Sequence, residues 1–194
     1  MMGSSLRQAA GPLMDRMLSY VAARRLLARL RPAGYVIRPV DAARDLDALA
    51  SLGAALGHSR RETLREAFRQ EFAAQDPRQW LFLVAVDGQR PGKMLGFVRA
   101  MRQGPEQNWW IAGLGVRPAC RGRGIGEALV RQALERLREA GVGQVHLSVN
   151  RASRPAIELY RKLGFETEPQ PAGPEAGCDY QHMVMDSTGG SPAR

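Results

Sequence analysis

The sequence predicts an α+β protein in which helices flank a single sheet. Two observations carry the prediction. From Tyr35 onward, segments of period 2 and segments of period 3.6 follow one another in the order βααβββαβαββ. Near the middle, a turn with three glycines and two arginines, Arg121-Gly122-Arg123-Gly124-Ile125-Gly126, joins an apolar strand to an amphipathic helix.

The elements follow in order. Residues 6–30 read as an extra N-terminal amphipathic helix, with Leu13, Met14, Met17, Leu18 and Val21 on one side and Pro32-Ala33-Gly34 closing it. This extension, residues 1–34, precedes the domain at 35–186 and a tail, 187–194, expected to be disordered. Tyr35–Val40 reads as the first strand, and Asp41 caps a helix to about Leu56. A second helix covers Arg60 to Ala74 and stops at Asp76-Pro77. Trp80–Val86 and Met94–Met101 flank Asp87-Gly88 and Pro91-Gly92, the pattern of an antiparallel pair. Gln103–Gln107 turns into the strand Trp109–Val116. Past the glycine-rich turn, Ile125, Leu129, Ala133 and Leu137 mark one helical face, ending at Gly141. A strand at 144–149, a helix at 154–163 closed by Gly164, a strand Phe165–Glu168, a Pro/Gly-rich loop at 169–177 and a strand Tyr180–Met185 complete the domain.

The glycine-rich turn is the informative one. Glycines let successive N–H groups curl inward, and a helix start adds uncapped donors and the positive end of its dipole. That construction suits a polyanion, most simply a pyrophosphate. It is not a P-loop, because no Gly-Lys-Ser/Thr follows, and its glycines at 122, 124 and 126 do not make the dinucleotide fingerprint. Alone, it reads equally well as a plain strand-to-helix connection. The preceding strand adds weight, because Gly113 and Gly115 interrupt Trp109–Val116 and strand glycines mark bulges or close backbone approach. A bulged strand ending at an anion loop offers unpaired backbone groups to an amide-bearing ligand. Amides together with a pyrophosphate point to coenzyme A.

Arg121-Gly122-Arg123-Gly124-Ile125-Gly126 resembles the R/Q-x-x-G-x-G/A acetyl-CoA loop of the GNAT N-acetyltransferase superfamily. Ala156-Ile157-Glu158-Leu159-Tyr160-Arg161-Lys162-Leu163-Gly164-Phe165 resembles its A-x-x-x-Y-x-K-x-G-F helix and turn. The two stand in the right order and separation, and the resemblance covers roughly residues 35–186. It implies a central mixed, mostly antiparallel sheet splayed at the bulged strand. It also implies acetyl-CoA as co-substrate and direct attack by a primary amine of a small molecule or peptide. In that frame the backbone from Arg121 to Gly126 holds the pyrophosphate, and Arg121 and Arg123 add charge. Leu114 and Val116 lend backbone groups to the pantetheine arm and a donor to the thioester oxygen. Tyr160, with an ordinary phenol pKa near ~10, is the general acid for the departing thiolate. Without the motifs, Arg121 and Arg123 would read as a solvated turn, and Tyr160, flanked by Leu159 and Leu163, as core.

Two departures matter. The superfamily usually places a cofactor-contacting Asn three residues before the motif's alanine. That position is Ser153, which reads as a helix N-cap, and Asn150 lies too early to inherit the role. Many relatives also carry Glu on the bulged strand, whereas Trp109–Val116 has no ionisable side chain. His146 on the following strand is the candidate base, with Glu71, His58 or a relayed water as rivals.

Composition narrows the setting. No run approaches the ~18–20 apolar residues of a membrane span. Cys120 and Cys178 lack the spaced framework of secreted domains, so a reducing, cytoplasmic compartment is expected. Cys120 stands beside the loop as a conceivable acyl-cysteine, but no His neighbours it in sequence. The histidines at 58, 146 and 182 are scattered, so no metal site is expected. Of the net charge of +9, residues 1–34 hold +5 and the rest +4. A mildly basic domain suits an anionic cofactor, and no nucleic-acid partner is expected. Asp15, Arg16, Arg24 and Arg25 break any secretory h-region in the first helix. That helix reads as docked on the domain or on a second copy in a homodimer. A transit peptide and a membrane-surface helix are its other readings. Arg60, Arg61 and Arg65 hint at an anionic acceptor, or simply form a wet face. An O-acyltransferase on the same fold, an acyl-CoA-binding sensor without a working base, and a nucleic-acid module are the rival functions.

Overall fold

The computed structural model describes residues 34–57, 59–74, 76, 78–103, 108–168 and 179–187. The expected N-terminal helix, His58, most of the turn before residue 108, the Pro/Gly-rich loop and residues 188–194 lie outside the described residues. Seven strands form one sheet: β1 (Tyr35–Pro39), β2 (Trp80–Asp87), β3 (Met94–Gln103), β4 (Asn108–Val116), β5 (Gln144–Asn150), β6 (Glu166–Thr167) and β7 (Tyr180–Asp186). The order across it is β1-β2-β3-β4-β5-β7-β6. Helices α1 (Ala42–Ala55), α2 (Arg61–Ala74), α3 (Ile125–Glu139) and α4 (Arg154–Lys162) flank it. Every neighbouring pair is antiparallel except β4 with β5, which run parallel. The expected mixed, mostly antiparallel sheet is therefore present, and the predicted element order holds throughout the described residues.

Two apolar layers sandwich the sheet. On one face, Ile125, Leu129, Ala133 and Leu137 of α3 and Ile157 and Tyr160 of α4 pack on Leu81, Leu83, Ala85, Val145 and Leu147. On the other, Leu49 and Leu52 of α1, with Phe68 and Phe72 of α2, cover Phe82, Val84, Val86 and Phe97. β2 is thus buried on both faces. That is why Trp80–Val86 reads as an unbroken apolar run rather than an alternation. The tail expected from 187 is anchored at its first residue. Ser187 is buried, its N–H donates to the Gly143 carbonyl at 2.8 Å, and its hydroxyl donates to Val142.

The start of α1 is fixed by charge. The Asp41 side chain accepts the N–H groups of Ala43 and Arg44 at 3.1 and 3.2 Å, as an N-cap does. One turn on, buried Asp45 takes two hydrogen bonds from the Arg38 guanidinium of β1, at 2.5 and 2.7 Å, and the Asp41 N–H at 2.8 Å. Burial opposes ionisation of Asp45, but these hydrogen bonds and the charges of Arg38 and Arg44 outweigh it and hold its carboxyl below the ordinary value. The pair ties the helix to the edge of the sheet.

A carboxyl depressed in the folded state stabilises the fold above its unfolded pKa, and that contribution is lost as pH falls through the folded value. Asp45→Asn should therefore cost about 2 kcal/mol at pH 7, by leaving Arg38 half-buried without its counter-ion. Urea melts of both proteins should converge as the pH is lowered below about 4. An equal gap at pH 7 and pH 3 would refute the ion-pair account.

Candidate active site

β4 sits between two partners that treat it differently. It pairs with β3 along its whole length, but the register shifts between Arg99 and Ala100, so that Gly113 faces Arg99, Ile111 faces Ala100, and Ala112 is the extra residue of a bulge. With β5 it shares only three pairs, Trp109 with Val145, Trp110 with His146 and Ile111 with Leu147. From Ala112 onward the strands part. The backbone of β4 between Ala112 and Val116 therefore pairs with no strand on its β5 side, as the expected splay requires.

The bulge also sets which side chains line the gap. Leu114 and Val116 turn toward α3, where their methyl groups lie 4.0 and 3.5 Å from where a Cβ on Gly126 would stand. Gly113 and Gly115 turn to the other face. A Cβ at Gly115 would stand 2.6 Å from Phe97 and 2.7 Å from Leu56, so glycine is a steric requirement there. Leu114 and Val116 thus keep their side chains away and leave their backbone groups at the open edge, where the resemblance asks for them.

Below Val116 a short 3₁₀ turn, Pro118–Cys120, leads into the loop. Gly122 and Gly124 both have φ near +70°, at 72° and 73°, a region that side chains with a Cβ rarely enter. Nothing lies within 4 Å of a Cβ position on either, so the loop faces open space. Gly124 is the N-cap of α3 without a side-chain cap, and the first helical hydrogen bond runs from the Ala128 N–H to its carbonyl. The N–H groups of Ile125, Gly126 and Glu127 have no partner within the helix. Ile125 contributes only its backbone, for its side chain is buried in the core. Arg121 and Arg123 are exposed, and the Arg121 Nε–H donates to the Val116 carbonyl at 3.3 Å.

Glu127 puts an acid into the first turn of α3, and two cations answer it. Lys162 of α4 donates to its carboxylate at 2.8 Å, and Arg131 does so at 3.0 Å. The Lys162 hydrogen bond, then that of Arg131, holds the carboxyl below its ordinary value. The motif lysine therefore pins α4 to the first turn of α3.

The remaining predicted residues fall as follows. Ser153 is the N-cap of α4 by position, but its side chain makes no cap hydrogen bond, contrary to expectation. Its carbonyl receives the Ala156 and Ile157 N–H groups instead. Asn150 is spent on a local turn, its side chain accepting the Ala152 N–H at 2.8 Å. Tyr160 is only 6% exposed and packs edge-on against Phe165 at 5.7 Å. Its pKa is not ordinary: burial pushes the phenol up to about 12. Cys120 is buried in the α3-side core rather than turned to the loop, which removes it as a nucleophile.

His146 lies on the sheet face opposite α3. Its ring stacks on Trp110 at 5.1 Å, its Nδ1 is 3.5 Å from the Glu168 carboxylate, and its buried Nε2 has no hydrogen-bond partner among the described residues. Trp110 also meets the His182 ring edge-on at 5.7 Å. On the same face, Glu71 of α2 accepts a 2.5 Å hydrogen bond from Arg99, beside the bulge. Of the three arginines that hinted at an anionic acceptor, Arg61 and Arg65 share one oxygen of Asp47, at 3.7 and 2.8 Å. Sequence reasoning missed Arg99, Trp110 and Glu168. The signal for Arg99 was present, since it is the only charged residue in Met94–Met101. Among the described residues no cluster of His, Cys, Asp or Glu could hold a metal ion, and no helix is long and apolar enough to cross a membrane.

An α+β sheet that opens at a bulged strand and runs into a glycine-rich helix start places a bare strand edge beside uncapped helix donors. The profile of the acetyltransferase (GNAT) family matches residues 46–165, and the chain belongs to that family. It is 38% identical over 74 residues to streptothricin acetyltransferase of Streptomyces lavendulae, a match covering 38% of this chain and 39% of that protein. It is 30% identical over 138 residues to mycothiol acetyltransferase of Actinosynnema mirum, covering 69% of this chain and 45% of the relative. The chain thus spans less than half the length of these curated relatives. Among solved structures, the PaiA N-acetyltransferase of Thermoplasma acidophilum in complex with coenzyme A matches with a TM-score of 0.61 at 18% identity, covering 78% of this chain and 98% of that one. Nourseothricin acetyltransferase matches with a TM-score of 0.57 at 24% identity, covering 79% and 99%. At these identities the structures share the fold.

Proposed function

We propose that this chain is an N-acetyltransferase that moves an acetyl group from acetyl-CoA to a primary amine. The observation that carries the reading is the continuous open edge from the bulge at Ala112, along Leu114 and Val116, into the loop Arg121–Gly126. It is supported by the coenzyme A held in the PaiA structure of the same fold. Pyrophosphate would lie on the loop and helix donors, the pantetheine amides on the β4 edge, with Ser153 at the start of α4 as a further contact. The amine nitrogen attacks the thioester carbon, the C–S bond breaks, and the sulfur takes a proton from Tyr160, which regains one from solvent. His146 is the proposed proton acceptor, with the Glu168 carboxylate beside its Nδ1, and the proton passes on to solvent. Its buried Nε2 means that the ring acts only when the bound acceptor, or a shift of Trp110, opens a path to it. A cytoplasmic setting and the docking of residues 1–34 on the domain or on a second copy belong to the same proposal.

Four experiments test it. Isothermal titration calorimetry should show acetyl-CoA binding that Gly124→Glu abolishes, because the change strains a left-handed position and puts a carboxylate where the phosphates approach. Unchanged affinity in a folded variant sinks the cofactor assignment. Thiol release should then be screened over spermidine, an aminoglycoside, amino acids and peptides. Tight binding without turnover on the whole panel would make the protein a sensor.

Tyr160→Phe keeps the ring in the core and removes only the hydroxyl. It should lower kcat by about 10²-fold or more with little change in acetyl-CoA affinity. Because the phenol titrates near 12, the native enzyme should show no alkaline loss of kcat from this group below about pH 10. A variant with native kcat, where chemistry limits turnover, shows the tyrosine to be structural.

His146→Asn should erase the acid limb of kcat/KM for the amine, since a base must be unprotonated to act. If the acid limb persists unchanged in the variant, the base lies elsewhere.

A further inference from the structure

The face of β4 turned away from α3 carries an arrangement that neither the sequence motifs nor the cofactor account for. At the bulge, Arg99 of β3 stands opposite Gly113, and its Nε lies 3.6 Å from where a Cβ on Gly113 would be. The Arg99 side chain therefore runs alongside a residue that has no side chain of its own. Arg99 reaches α2 and donates through one nitrogen to one oxygen of Glu71, a single contact rather than the two-pronged pairing a guanidinium prefers. The other Glu71 oxygen has no hydrogen-bond partner among the described residues. Both side chains are mostly but not wholly covered, Glu71 18% and Arg99 29% exposed.

Position gives the pair its meaning. Parallel pairing of β4 with β5 ends at Ile111 and Leu147, one residue before the bulge and two before Gly113. β4 supplies no ionisable group of its own. A carboxylate with a free oxygen is thus brought by another helix to the point where the sheet opens. By contrast, Asp45 is bound at both oxygens by Arg38, and Glu66 at both by Arg69, with Gln70 adding a third contact. A purely structural clamp between α2 and β3 would gain from the two-pronged geometry and from closing off the second oxygen.

We infer that Glu71 is the counter-ion at which the acceptor's ammonium docks, so that the acceptor is a cationic primary amine. Arg99 is the positioning residue that holds the carboxylate over the bulge. The inference rests on the transferase reading above. Its part in the reaction is capture: the ammonium binds at the free oxygen, gives up its proton to the base of that reaction, and attacks as the neutral amine. The effect belongs in KM for the amine rather than in the chemical step.

The test uses the whole chain and whichever panel amine the native enzyme turns over fastest. Glu71→Gln should raise KM for that amine about ten- to a hundredfold, the loss of a charged hydrogen bond. Saturating kcat and calorimetric acetyl-CoA affinity should be unchanged. Native KM should rise with added sodium chloride, and the variant's should not. Arg99→Met, which keeps the carboxylate but frees it, should raise KM less than Glu71→Gln does. An unchanged KM in a folded Glu71→Gln variant overturns the inference. So does a large KM effect of Arg99→Met alone, which would mean that the guanidinium reads an anionic acceptor. Should Glu71→Gln fail to fold, a native KM indifferent to salt overturns it equally. A native enzyme that releases no coenzyme A with any amine overturns the transferase reading itself, whereas native turnover with an unaffected Glu71→Gln variant overturns the docking role alone.

Discussion

The rest of the site depends on one extra residue in β4. A strand keeps alternate side chains on opposite faces, so a single inserted residue moves everything beyond it to the other side. Ahead of the bulge, Trp109 and Ile111 face the α3 core and Trp110 faces away. Beyond Ala112, Leu114 and Val116 resume contact on the α3 side while Gly113 and Gly115 face α1 and α2. Without the bulge, Leu114 and Val116 would turn to the face where Phe97 and Leu56 already stand within 2.7 Å of a Cβ. The bulge thus keeps the strand paired to β3, fills the α3 core, and leaves the β5-side backbone bare. Parallel pairing is given up over the same residues, which is how an edge arises in the middle of a sheet.

Charge is distributed accordingly. On the side of the loop lie uncapped helix donors and two exposed arginines, with the one acid of the first helical turn neutralised by Lys162 and Arg131. Across β4 lie carboxylates, Glu71 at the bulge and Glu168 beside His146. The strand thus has the loop's arginines on one side and, on the other, carboxylates that meet Arg99 and His146. A net charge of +9 summed over the chain shows nothing of this division, because the sum cannot register which face a residue occupies.

That limit explains what was and was not legible in the sequence. Elements were readable because period and turn chemistry are local: the row Ile125, Leu129, Ala133, Leu137 is buried as its spacing predicts, and Asp41 caps as its type predicts. The loop was readable for the same reason, since positive φ and a helix start are written in consecutive residues. Gly113 and Gly115 announced an irregularity in β4 but not its register. The Glu71–Arg99 contact joins residues 28 apart, and His146 meets Glu168 only because β6 folds back onto β7. Such contacts are set by sheet register and helix docking, which leave no periodic trace. Ser153 shows the converse. Its type predicts a side-chain cap, yet the local backbone gives that place to its carbonyl.

Tyr160 raises the question of how a phenol pushed up to about 12 could serve as an acid. Against a thiol in water, near 8.5, it is too weak to give its proton away outright. In the proposed reaction, however, the sulfur becomes anionic in the same surroundings as the phenol. The apolar surroundings that disfavour a phenolate also disfavour a thiolate, so desolvation raises the proton affinity of both. What governs transfer is the difference between them, and burying both partners narrows the gap that burying one opens. A buried hydroxyl also costs no reorganisation when charge appears beside it. Its strong preference for the neutral form keeps the donor proton present at every pH at which an amine can be neutral and attack. Burial, which marks Tyr160 as a core residue in the sequence, is on this account compatible with its serving the departing sulfur.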